Sequence, residues 1–226
     1  MNFLAHFAVA TRLQPALSPL PAYVVGTALP DLLPLADQRA HLRIFPVSHS
    51  LPHCPGDHAL RGGVLSHLAA DIAFHRSESF ADAQTEAKKL LDQAGFKAIR
   101  VRRFFVAHIL VEMALDAALL RAEPALGEQF YAALRASEGD HVVRWTEAVV
   151  ARPLPELPRV LSRFAESRYL LHYGTDEGVA QALSHLCARA RQATFDGENQ
   201  ARLVQVVGEM VDALKPKTED LLREAS

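Results

Sequence analysis

Apolar positions recur along this chain with a helical period, while period-2 runs rich in β-branched residues and bounded by turn pairs do not. The pattern predicts helices over Asn2–Leu13, Ala22–Ala28, Asp57–His75, Glu78–Ala94, Lys97–Leu120, Pro124–Ser137 and Asp140–Val150. Three more follow, over Glu156–Leu171, Asp176–Arg191 and Glu198–Glu224, the second with Asp176 as its N-cap. Pro15, Pro19 and Pro21 separate the first two helices. The stretch from Pro30 to Pro55 holds five prolines and reads as mostly loop. Residues 151–158, ARPLPELP, read as a linker or elbow. No heptad persists, so the expected fold is all-α, an irregular multi-helix bundle rather than a coiled coil. One domain over residues 1–226 is expected, with 151–158 as its candidate elbow.

Composition narrows the function classes. Half the 226 residues are hydrophobic and 22% are charged, enough apolar surface to exclude a disordered chain. A formal net charge of −2 gives no global basic field, so no nucleic-acid partner is expected. No apolar run approaches the ~20 residues of a membrane-spanning helix. The first residues, MNFLAHFAVATRL, lack a basic start and carry His6 within the apolar stretch, which reads as a mature helix rather than a signal peptide. Cys54 and Cys187 are far apart and form neither a disulfide framework nor a CxxC metal site, which favours a reducing cytoplasm. The informative excess is histidine, eleven residues unevenly placed.

Two helices carry the chemistry. His67, Asp71 and His75 stand at i, i+4 and i+8, one above another on a helix face beside the core-type residues Leu68, Ile72 and Phe74. His108, Glu112 and Asp116 repeat the spacing in the most apolar helix of the chain. A lone buried histidine is more often a hydrogen-bonded core residue, and a single HxxxD pair more often a surface ion pair of a few tenths of a kcal/mol. Two such stripes on buried-looking helices need compensation for three titratable groups each. Divalent ions between the helices supply it, because imidazole and carboxylate ligate Zn²⁺, Mn²⁺ and Fe²⁺. His6, set among Phe3, Leu4 and Phe7, and Asp31, at a proline break where a turn cap is the competing role, extend the set. Of the loop histidines, His49 is the favoured further ligand, whereas His41, His53 and His58 are expected in solvent.

These residues resemble two groups. The start Met-Asn-Phe-Leu-Ala-His, the Gly26-to-Asp31 segment, His67-xxx-Asp71 and the aromatic Tyr169-Leu-Leu-His-Tyr173 segment with the helix after it resemble the acyl-carrier-protein phosphodiesterase family. That family has an acidic residue where this chain has His75, and two acidic residues followed by His where it has His108, Glu112 and Met113. The ligand order His6, Pro30-Asp31, His49, Ser66-His67-xxx-Asp71-xxx-His75, His108-xxx-Glu112 is similar to zinc-dependent phospholipase C and its bacterial relatives, though the N-terminal tryptophan of secreted members is absent. The second resemblance implies an all-α enzyme with two or three divalent ions (Zn, Mn or Fe), and both imply phosphodiester hydrolysis.

In that reading His6, Asp31, His49, His67, Asp71, His75, His108 and Glu112 are the metal ligands, with Asp71 bridging. Asp31 and Asp71 are the catalytic candidates, Asp31 as ligand, general base or orienter of the nucleophile. Asp116 supports a ligand histidine from behind. Arg76 and Arg103, with Arg61, Arg100 and Arg102, are placed to meet a phosphate or an acidic acyl carrier protein, through a basic patch at residues 97–103 that otherwise reads as a solvated helix end. Tyr169 and Tyr173 line the entrance or simply pack on each other. The competing functions are a metal-dependent phosphohydrolase acting on nucleotides or phosphomonoesters and a non-catalytic all-α binding protein whose stripes are satisfied polar networks.

Overall fold

A computed structural model describes residues 1–50, 53–96, 102–137 and 139–226. Among them the fold is all-α, as expected. In chain order the helices are α1 (Phe3–Leu13), α2 (Pro21–Ala36), α3 (Ile44–His49), α4 (Pro55–Arg76), α5 (Glu78–Gln93), α6 (Arg103–Ala122), α7 (Pro124–Ala136) and α8 (Gly139–Val150). After them come α9 (Leu157–Ser167), a 3-10 segment (Tyr169–Gly174), α10 (Asp176–Arg189), α11 (Gly197–Leu214), a short 3-10 turn (Lys215–Lys217) and α12 (Thr218–Glu224). One apolar cluster runs through the bundle from Met1 to Ala225. No helix of the described residues is long and apolar enough to cross a membrane. Cys54 is exposed and Cys187 buried, and neither is in a disulfide.

The largest departure from the sequence reading is α2. It passes through Pro30 and Pro34 and ends at Ala36. An interior proline costs about 3 kcal/mol or more. Here Leu29, Leu32 and Leu33 beside the two prolines are fully buried, and that burial, about 1.5–3 kcal/mol for each such side chain, is of the size needed to offset the lost rungs. Part of the expected loop is also α3, and the expected C-terminal helix is divided at Pro216 into α11 and α12. Thr175, not Asp176, caps α10. Its hydroxyl accepts the Gly178 N–H at 3.1 Å, and Asp176 is freed to pair with Arg121 at 2.8 Å. The 151–158 elbow is pinned. Leu154 is buried and its N–H donates to Glu147 Oε1 at 2.7 Å, while Arg152 pairs with Asp37 at 3.2 Å.

The contact between α2 and α4 positions the site. A Cβ at Gly63 would lie 2.1 Å from the Tyr23 carbonyl oxygen, and one at Gly26 would lie 2.4 Å from that of Leu60. Only glycine at both points lets the two backbones touch. The two backbones are therefore in contact, and Thr27 and Asp31 in the middle of α2 meet His67 of α4.

Candidate metal centre

His67 is buried in the middle of α4, and its Nδ1 lies 2.7 Å from the Thr27 carbonyl of α2. Since a carbonyl only accepts, Nδ1 carries the proton and Nε2 keeps its lone pair. That lone pair faces Asp31 Oδ1 at 3.7 Å. Outer hydrogen bonds of this kind fix the tautomer of a ligating histidine. The ring stacks on His6 of α1, centroids 3.6 Å apart. His6 is 1% exposed, and neither of its nitrogens has a hydrogen-bond partner among the described residues. Its Nε2 lies 3.7 Å from Asp71 Oδ1, beyond hydrogen-bond reach. A buried imidazole with two idle nitrogens costs about 1–3 kcal/mol per unpaired group unless something absent from the polypeptide fills the place.

The second half lies between α4, α5 and α6. His75 Nδ1 is 2.8 Å from the carbonyl oxygen of Asp71, so its Nε2 points away from its own helix. That Nε2, the Nε2 of His108 and Oε1 of Glu112 form a triangle with each side 3.1 Å. Metal–ligand bonds of about 2.0–2.2 Å in a tetrahedral site set such atoms about 3.3 Å apart, so the triangle is close to one face of a zinc coordination sphere. Gln84 of α5 backs it, with its amide 3.1 Å from His108 Nδ1. Asp71 stands between the halves. Its Oδ1 is 3.4 Å from His75 Nδ1 and 3.0 Å from the amino nitrogen of Met1, which in turn is 3.1 Å from Glu112 Oε1. His6, His67 and Asp71 form one group able to hold a metal ion, and His75, His108 and Glu112 form another.

The electrostatics of the halves differ. Burial pushes His6 down to about 4, and it pushes His67 well below the ordinary histidine value, so both rings are neutral. Asp71 first and Glu112 second raise His75 to about 9. Burial opposes ionisation of Asp71, but the facing His6 and His75 and the Met1 ammonium hold it below the usual carboxylate range. Burial likewise opposes ionisation of Glu112, and the Met1 ammonium, His108 and His75 outweigh it. Asp31 opens onto a cavity yet is hemmed in elsewhere. Loss of water raises it to about 7, the Met1 ammonium working against this and Glu112, Asp71 and Asp116 with it.

A cavity of about 920 Å³ opens over the cluster. Asp31, Asp71, His75 and Glu112 lie on its polar side, and Ile109, Phe164, Tyr169 and Tyr173 on its apolar wall. The two tyrosines sit on the 3-10 segment, which Arg121 Nε holds by donating to the Tyr173 carbonyl at 3.3 Å. They meet edge to face with centroids 5.9 Å apart, so they both pack on each other and line the opening.

Other expected site residues fall elsewhere. His49 ends α3 with its ring exposed, 2.9 Å from the Phe45 carbonyl and tilted against the Phe45 ring, and it lines a separate cavity. It is not a member of the central cluster, because α3 places it in a cavity with Cys54 and Asp57 at the start of α4. Asp116 does not support a histidine. It accepts the N–H groups of Leu4 at 3.0 Å and Ala5 at 2.8 Å, which caps α1 from another helix, since the side chain of Asn2 makes no cap bond. Thus it fixes the helix that bears His6. Arg103 pairs with Asp92 at 2.8 Å in solvent, and Arg76 is exposed; neither lines the cavity over the cluster. Of the basic patch, residues 97–101 lie outside the described residues. Sequence reasoning missed Gln84, although it interrupts the apolar stripe Phe80, Ala83, Ala87, Leu91 of α5. It also missed a third group able to hold a metal, Cys54, Asp57 and His141. No family model matches the chain, and neither a curated protein nor a solved structure with detectable similarity to it was found.

Proposed function

We propose that this protein is a metal-dependent phosphodiesterase that holds two or three divalent ions, Zn, Mn or Fe, between α1, α2, α4 and α6 and acts in the cytoplasm. The observation that carries the reading is the His75–His108–Glu112 triangle beside a fully buried His6 whose two nitrogens have no hydrogen-bond partner among the described residues. Divalent ions held by such ligands lower the pKa of a bound water and neutralise phosphate oxygens during in-line displacement.

The protein's own groups have defined tasks in this scheme. Thr27 orients His67 through Nδ1, the Asp71 carbonyl orients His75 in the same way, and Asp71 joins the two ligand groups. Burial raises Asp31 to about 7 in the protein without cations, and neighbouring divalent ions would lower it, leaving a carboxylate beside the cavity able to accept a proton. Phe164, Tyr169 and Tyr173 offer an apolar wall for the part of the diester that does not react. The resemblances noted in the sequence favour phosphopantetheine on an acyl carrier protein or a phospholipid-type diester as substrate. The test is hydrolysis of bis-p-nitrophenyl phosphate by protein loaded with Zn²⁺, Mn²⁺ or Fe²⁺. Turnover that chelator abolishes supports the reading. Preference for the monoester over the diester points to a phosphomonoesterase instead, and inactivity with all three ions points to a binding protein.

A further inference from the structure

A second cluster lies at the N-terminus of α4, away from the histidine stripes. Cys54 caps that helix through Sγ, which accepts the Asp57 N–H at 3.4 Å. His141 of α8 approaches the same place, with Nε2 2.6 Å from Asp57 Oδ1 and 3.7 Å from Cys54 Sγ. A catalytic thiol–imidazole–carboxylate relay needs the thiol and the carboxylate on opposite ring nitrogens. Here both face Nε2. Sulfur, nitrogen and oxygen therefore converge on one point, which is the layout of a coordination sphere.

Three further features shape the place. Gly56 leaves room for the ring, since a Cβ there would lie 2.7 Å from His141 Cε1. The other oxygen of Asp57 is held by the His53 N–H at 2.8 Å, the kind of outer contact that orients a ligating carboxylate. The open side faces a cavity of about 500 Å³ lined by His49, His53, Arg144 and Trp145 among others, so two of the loop histidines lie here rather than at the central cluster.

We propose that Cys54, Asp57 and His141 form a separate divalent-metal site of zinc type with its fourth position open to this cavity. The thiolate selects a borderline-soft ion such as Zn²⁺ over Mg²⁺ or Ca²⁺. On binding, the ion replaces the proton shared by His141 Nε2 and Asp57 Oδ1 and the proton on Cys54 Sγ, both released to solvent, and the 2.6 Å contact widens to ligand spacing.

Cobalt(II) titration of the full chain tests this, because only a thiolate ligand gives a sulfur-to-cobalt charge-transfer band in the near ultraviolet. The intact protein is expected to develop the band with the saturating intensity of one thiolate–cobalt bond per chain, and Zn²⁺ to remove it. Cys54→Ser and His141→Ala are expected to lose it, and Cys187→Ser and Asp71→Ala to keep it. Retention in Asp71→Ala separates this site from the central one, whose ligands contain no sulfur. Absence of the band from the intact protein at saturating cobalt, or its survival in Cys54→Ser, would overturn the proposal. Survival in His141→Ala would overturn the ligand assignment.

Discussion

The two halves of the central cluster are built from the same residue types and behave differently. In the His75–His108–Glu112 half, every ring nitrogen that faces the centre has a partner at 3.1 Å, and the group shares protons and charge. In the His6–His67–Asp71 half, the rings are stacked, neutral and deeply buried, and His6 has no hydrogen-bond partner among the described residues. A polar network that existed only to specify the core would satisfy both halves. Under the proposed metal-dependent reading, protons in the first half take the place that cations would fill, while the second half has no such substitute.

The largest effect expected is from Asp71→Ala, which removes the carboxylate between the halves. It should stay folded by circular dichroism, lose bound metal by elemental analysis and fall at least about a hundredfold in diester turnover, on the scale of losing a catalytic acid–base group. Full metal content in this variant would remove Asp71 from the ligands. Next is Gly63→Ala. Its Cβ would meet backbone of α2, so urea unfolding should show a loss of about 3 kcal/mol, the upper end for overpacking. Metal affinity should fall too, as His67 is pushed off the Thr27 carbonyl.

His6→Leu sharpens the contrast most. It removes the idle nitrogens at similar volume, so the metal-free protein should gain about 1–2 kcal/mol, while the stabilisation that added zinc gives the native chain should shrink. The smallest effect is in pH. In metal-free protein the folded value of His75, about 9, lies above the ordinary 6.5. Its contribution is therefore complete below pH 6.5 and is lost as pH rises through about 9. The Met1 ammonium, also raised because Glu112 and Asp71 outweigh its burial, acts in the same direction. Melting temperature should fall by a few degrees from pH 7 to 9 without metal, and saturating zinc should flatten that slope.

Much of this site was legible because helical period places i, i+4 and i+8 on one face whatever the tertiary fold. Both stripes were found that way, His6 and Asp31 were added as a histidine in an apolar helix and a carboxylate at a proline break, and the structure brings all of these but Asp116 together. What was not legible depends on contacts distant in sequence. Pro30 and Pro34 read as breaks because local propensity cannot weigh the burial of Leu29, Leu32 and Leu33. His49 carried no periodic signal that could say which side of α4 its loop reaches. Asp116 stood in the right stripe, but its partners are backbone N–H groups more than a hundred positions away. Cys54 and His141, 87 positions apart, share no pattern at all.

The central claim is that cations hold these side chains together, and anomalous diffraction from zinc-soaked crystals tests it most directly. The account requires a peak bonded to His75 Nε2, His108 Nε2 and Glu112 Oε1 and a second beside His6 and His67, both bridged by Asp71 at about 2.0–2.2 Å. A map with no peak at saturating zinc, the three atoms still 3.1 Å apart and His6 still bonded to nothing, would contradict it.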